Sequence, residues 1–154
     1  MIKPASRVLA LVAVALIALA ATAAAATVKL TPVKGATYSG LVGHTPITVK
    51  VDRKGKTAKV NMAVAPLFCS SGAGGGEPHS SSPGTITKQG ALSATITFFT
   101  TGSTRRKLAT VTVKGHFYTF AGSTPVFQGQ VKTTLAIAGD SSCNGQESFQ
   151  AVKG

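Results

Sequence analysis

Few residues in this chain could do covalent or metal chemistry: three histidines, four acids and two cysteines. The histidines are His44, His79 and His116, and the acids are Asp52, Glu77, Asp140 and Glu147. Ser-His-acid catalysis needs a base held on the nucleophile and a third group orienting that base. Serines are plentiful, but no Gly-x-Ser-x-Gly elbow occurs, and His79-Ser80 falls in a stretch poorly suited to fixing such a geometry. Glycosidase chemistry needs two carboxyl groups facing one bond across roughly 5 to 10 Å. Four acids are a small supply, and the chain has no tryptophan to serve as a sugar platform. Glu77 and His79 could touch one metal as an i, i+2 pair, yet zinc asks for three or four ligands and no second cluster supplies the rest. A non-enzymatic chain is expected, with no catalytic residue, metal or cofactor; a secreted hydrolase built on residues 70–84 is the enzymatic alternative.

The basic residues carry more information. Lys50, Lys54, Lys56 and Lys59 with Arg53 crowd one hairpin, and Arg105, Arg106 and Lys107 occupy one loop tip. Forked guanidinium groups and ammonium groups bind phosphate and carboxylate. If the two clusters share a face, they form one anion-binding patch; if they lie at opposite ends, they are ordinary surface charge. The whole chain carries a formal charge of +12 from 16 Lys and Arg against 4 Asp and Glu. Such a field attracts wall polymers, lipid head groups or nucleic acid without choosing among them. Phe98, Phe117 and Phe127 fall in phase with apolar positions, which leaves few rings to stack on exposed bases, so sequence-specific nucleic-acid binding is not expected.

These clusters must sit on a sheet. From Ile47 the apolar residues recur at every second position, the period of a half-buried strand. Ile47, Val49 and Val51 alternate with polar residues; Arg53-Lys54-Gly55-Lys56 makes a turn with Gly55 available for positive φ; Ala58, Val60, Met62 and Val64 resume the alternation. The pattern returns in Leu92 to Phe98, in Ala109 to Phe117 with Gly115 in phase, and in Phe127 to Ile137. Tyr38 to Leu41 predicts a short opening strand and Phe149 with Ala151 a closing one. With no amphipathic helix to serve as a crossover, seven or eight antiparallel strands in a β-sandwich or a barrel-like sandwich are expected. Ser70 to Gly84 reads as a flexible Gly/Ser loop.

Residues 1–26 have the order of an export signal: basic Lys3 and Arg7, an apolar run from Val8 to Ala21, then small residues ending in Ala24-Ala25-Ala26. The apolar run is about 14 residues, short of the roughly 20 a spanning helix needs, so cleavage before Thr27 by the general secretory route is expected, with no membrane span afterwards. Residues 27–154 then form one domain whose charge, after loss of Lys3 and Arg7, is +10. Cys69 and Cys143 both lie in the exported part, where an oxidising compartment favours a disulfide between them. Two free thiols are the alternative.

The marks along the chain are similar to those of a secreted domain of uncharacterised function common in actinobacterial genomes. They are Tyr38-Ser39-Gly40, the hairpin from Pro46 to Val64, Cys69, Gly90-Ala91-Leu92-Ser93-Ala94, Val111 to Phe117 with Gly115, Gln128-Gly129-Gln130-Val131, and Cys143. The resemblance implies a β-sandwich and a disulfide and brings no activity with it. The long Gly/Ser stretch after Cys69 departs from the pattern, as does Leu92, where an aromatic residue is more usual.

Two functions follow as expectations. The first is a non-enzymatic domain, extracellular or associated with the cell envelope, that binds an anionic cell-wall polymer through Arg53, Lys54, Lys56, Arg105, Arg106 and Lys107. The second is an extracellular protein-binding or assembly module that uses a strand edge or a loop.

Overall fold

A computed structural model of the chain describes residues 28–66, 79–100, 103–136 and 144–154. Among the described residues eight strands follow one another: β1 (Thr37–Val42), β2 (Thr45–Val51), β3 (Thr57–Met62), β4 (His79–Ile86), β5 (Ala91–Phe99), β6 (Lys107–Tyr118), β7 (Val126–Leu135) and β8 (Gly145–Lys153). Every pairing is antiparallel between chain neighbours, and β8 returns to pair with β1 at Gly40 and Ala151. The sheet is therefore a closed up-and-down barrel, the barrel-like side of the sequence expectation, and the two-sheet sandwich is set aside. The expected export signal, residues 1–26, and the expected disulfide partners Cys69 and Cys143 lie outside the described residues.

Alternation sets the polarity of the wall. Ile47, Val49, Val51, Val60, Ile96, Phe98, Val111, Val113, Phe117, Phe127 and Val131 all point inward and are buried. Eight strands leave an interior just wide enough to be filled by side chains or to hold one small ligand. Here the apolar side chains fill it. The single buried polar residue among those described is Thr133, whose hydroxyl donates to the Pro66 carbonyl at 2.8 Å. This polarity is the reverse of a transmembrane barrel, whose apolar band faces outward. Among the described residues no helix is long and apolar enough to cross a membrane.

One level of the interior is aromatic. Tyr38 meets Phe117 edge-on with ring centroids 5.1 Å apart, Phe117 lies 4.8 Å from Phe127, and Phe127 lies 5.8 Å from Phe149. The rings fit because Gly115 and Gly129, paired across β6 and β7, present no side chain to the same level. A Cβ on Gly115 would fall 2.7 Å from Phe127 Cζ, and one on Gly129 would fall 2.9 Å from Phe127 Cε1.

Strand β4 corrects the expectation of a loop over residues 70–84. His79 to Gly84 are extended and pair with β5, while 70–78 lie outside the described residues. The strand escapes an apolar pattern because its inward positions ahead of Ile86 are His79, Ser81 and Gly84. Pro83, which has no N–H to give a ladder, sits where the register shifts between Ser82 and Thr85. Toward β3 the pairing covers only Thr57↔Thr85 and Ala58↔Gly84. Farther along, a hydrogen bond of 2.8 Å between His79 Nε2 and Asn61 Oδ1 links the two strands.

A strap, residues 28–36, crosses one end of the barrel. Lys29 exchanges two backbone hydrogen bonds of 2.9 Å with Thr119, Leu30 lies over Gly90, and the Gly35 N–H donates to the Asp52 carbonyl at 3.0 Å. The Val33 N–H donates to the Tyr38 hydroxyl oxygen at 3.0 Å, tying the strap to the aromatic level. Burial raises the Tyr38 pKa above the ordinary tyrosine value, partly opposed by that hydrogen bond. The folded chain thus holds the phenol proton more tightly than the unfolded chain. The resulting stability is complete below the ordinary value of about 10 and is lost as pH rises through the folded pKa. Thermal melts are expected to fall above pH ~10, and Tyr38→Phe is expected to flatten that alkaline fall. An unchanged alkaline slope in the variant would contradict the assignment.

Candidate functional site

In an up-and-down meander, successive turns alternate between the two ends. The β2–β3, β4–β5 and β6–β7 turns share one end with the strap, and the β1–β2 and β5–β6 turns lie at the other. Arg53, Lys54 and Lys56 are consequently at the strap end. Arg105, Arg106 and Lys107 are at the opposite end. The structure does not bring the two basic clusters together.

The opposite-end cluster is occupied with local structure. The Arg105 guanidinium carbon lies 4.3 Å from the centroid of the Phe99 ring, a cation–π contact. The Thr100 N–H donates to the Arg106 carbonyl at 2.8 Å, and the Arg106 N–H donates to Thr100 Oγ1 at 3.1 Å. Lys107 pairs with Phe99 beyond a register shift.

At the strap end, four lysines surround one cleft of about 220 Å³: Lys34 from the strap, Lys54 and Lys56 from the β2–β3 turn, and Lys88 from the β4–β5 turn. Thr31 and Thr87 add hydroxyls to its wall. All four lysines are exposed. Arg53 is in the same turn but does not line the cleft.

The turn chemistry explains how this arrangement is held. Gly55 takes φ of +73°, open to glycine at little cost, and its N–H donates to the Asp52 carbonyl at 3.1 Å. Lys34 Cγ passes over it, 3.2 Å from where a Cβ would stand. Asp52 Oδ1 accepts the N–H groups of Lys56 at 2.7 Å and Thr57 at 3.0 Å. These bonds, that from Thr57 foremost, hold its carboxyl below the ordinary aspartate value. The acid beside the lysines therefore acts as the brace of the turn.

Lys34 and Lys88 were missed in the sequence because neither lies in a run of basic residues. The strap and the β4–β5 turn bring them to Lys54 and Lys56.

The groups weighed for catalysis are dispersed. His44 lies in the β1–β2 turn, the His79 ring meets Phe98 at a tilt of 38° with centroids 5.4 Å apart, and His116 is on the outer face of β6. Glu147 accepts the Gly43 N–H at 2.9 Å. Glu77 and Asp140 lie outside the described residues. Among the described residues, no three His, Cys, Asp or Glu side chains are grouped to hold a metal ion. Comparison with protein-family models, curated proteins and solved structures finds no match.

Proposed function

We propose that the protein is a non-enzymatic, exported domain that holds anionic groups of a cell-envelope polymer in the strap-end cleft. The observation that carries this reading is the convergence of Lys34, Lys54, Lys56 and Lys88 from three separate elements on one cleft. Like charges gathered in this way repel one another, and a bound polyanion relieves that repulsion. Relative to the patch expected from sequence, Lys34 and Lys88 enter the site, Arg53 stands beside it, and Arg105, Arg106 and Lys107 leave it. Pairing of β1 with β8 over Tyr38 to Gly40 covers part of the edge that an open sheet would offer to a partner, and the edge left between β3 and β4 beyond Ala58 is the place for the alternative, assembly through a strand edge.

The test is retention of the purified domain on dextran sulfate and on isolated cell envelope. Retention is expected at low salt and loss near 1 M, where the Debye length is about 3 Å. Replacing all four lysines by Gln is expected to weaken low-salt binding by about tenfold or more. Undiminished retention of that variant contradicts the proposal.

A further inference from the structure

We propose that the lysine cleft is the anchoring end of a longer track on the outer wall, and that the ligand is an acidic polysaccharide. The inference rests on the cleft reading and extends it. Two further grooves adjoin the cleft in sequence along the wall. One, of about 350 Å³, is lined by Thr85, Thr87, Ser93, Lys114 and His116; Thr87 also lines the cleft. The other, of about 660 Å³, is lined by Lys114, His116, Gln128, Gln130, Ser148 and Gln150. Lys114 and His116 stand between the two grooves and belong to both.

The grooves follow from the inward glycines. Gly84, Gly115 and Gly129 carry no side chain to prop the wall off the core, and a Cβ at any of them would come within 3.0 Å of core side chains or neighbouring backbone. The wall lies close to the core there, and the outward residues border a concavity. The track crosses β4 to β8, four inter-strand steps at about 4.8 Å, or roughly 19 Å. That is room for several linked sugar rings.

The lining selects the ligand. Among the described residues no acid borders any of the three concavities, and five lysines do. Charge complementarity therefore asks for a polyanion. Beyond the cleft the partners become amides and hydroxyls: Gln128 is opposite Gln150, and Gln130 is opposite Ser148. A glutamine amide offers both donors and an acceptor, which suits adjacent sugar hydroxyls, each a donor and an acceptor. Gln146 Nε2 donates to Gln130 Oε1 at 3.0 Å and so steadies that amide. A nucleic acid would want exposed rings along the path. Among the described residues the rings bordering the grooves are the imidazole of His116 and the buried ring of Phe149, while the stacked pair Tyr118 and Phe120 lies outside them.

The experiment compares polygalacturonate, polyphosphate and single-stranded DNA as probes of the domain at low salt. Two variants accompany the unaltered protein: Gln128→Ala/Gln130→Ala/Gln150→Ala, and the four-lysine Gln variant. The expected result is tightest binding of polygalacturonate, a loss of about tenfold on that probe in the glutamine variant with polyphosphate unaffected, and loss of all probes in the lysine variant. Unchanged polygalacturonate binding by the glutamine variant, or preference for polyphosphate or DNA, overturns the track while leaving the cleft standing. Failure of every probe to bind the unaltered protein overturns both. Gln128→Glu/Gln130→Glu, which adds repulsion at exposed positions, gives an independent reading should the alanine variant melt early; unchanged polygalacturonate binding in it also overturns the track.

Discussion

Replacing Phe127 by alanine is expected to lower the free energy of unfolding by about 3–5 kcal/mol, the range for emptying a buried phenylalanine site. Phe127 is fully buried and stands between Phe117 and Phe149 in the aromatic row, so its removal strips both neighbours of a packing partner. Two features limit collapse into the gap. The wall there already lies close to the core at Gly115 and Gly129, and the strands on either side of β7 are locked in long registers. Small domains are stable by about 5–15 kcal/mol in total, so the variant should melt at a far lower denaturant concentration. A loss below about 1 kcal/mol, measured by chemical denaturation, would mean that the aromatic row does not hold the barrel together.

The second large effect is expected at Gly115. A side chain there would place its Cβ 2.2 Å from the Gln128 carbonyl oxygen, 2.6 Å from Gly129 Cα and 2.7 Å from the Phe127 ring. The first two are backbone atoms of the paired strand, so the clash cannot be relieved by turning a rotamer. Gly115→Val is expected to cost about 3 kcal/mol or more, at or beyond the upper end of ordinary overpacking. Gly122→Ala provides the contrast: its Cβ would meet nothing within 4 Å, and only its φ of +75° opposes substitution. That variant should lose about 1–2 kcal/mol. Equal losses at the two positions, measured by the same denaturation, would show that contact with β7 does not decide the cost at Gly115.

The inward faces of the long strands were legible in the sequence because a period of two is decided locally by each residue's side of the pleat. Leu92, Ala94, Ile96 and Phe98 on β5, and Val111, Val113 and Phe117 on β6, are buried as their alternation requires. Closure was not legible, because alternation assigns faces and says nothing of which strand lies beside which. The pairing of β8 with β1 joins residues more than a hundred positions apart. Strand β4 was hidden for a different reason. Serine and glycine carry no apolar signal, and its extension is imposed by pairing with β5.

The candidate site was half legible. Lys54 and Lys56 advertise themselves because they flank the same turn glycine. Neither Lys34 nor Lys88 lies in a run of basic residues, and only the strap and the turn ending at Gly90 bring them to the cleft. Separation of the two basic clusters follows from counting strands. Three strands lie between the β2–β3 turn and the β5–β6 turn, and an odd number of strands reverses the end.

The most direct test of the central claim compares two variants of equal net charge, Lys34→Gln/Lys54→Gln/Lys88→Gln and Arg105→Gln/Arg106→Gln/Lys107→Gln, for dextran sulfate affinity at low salt. Each removes three positive charges, so the long-range field falls by the same net amount and only the location differs. A lysine cleft predicts a loss of about tenfold or more in the first variant and little change in the second. Equal losses in both would contradict it, reducing the cleft to one share of a diffuse positive surface.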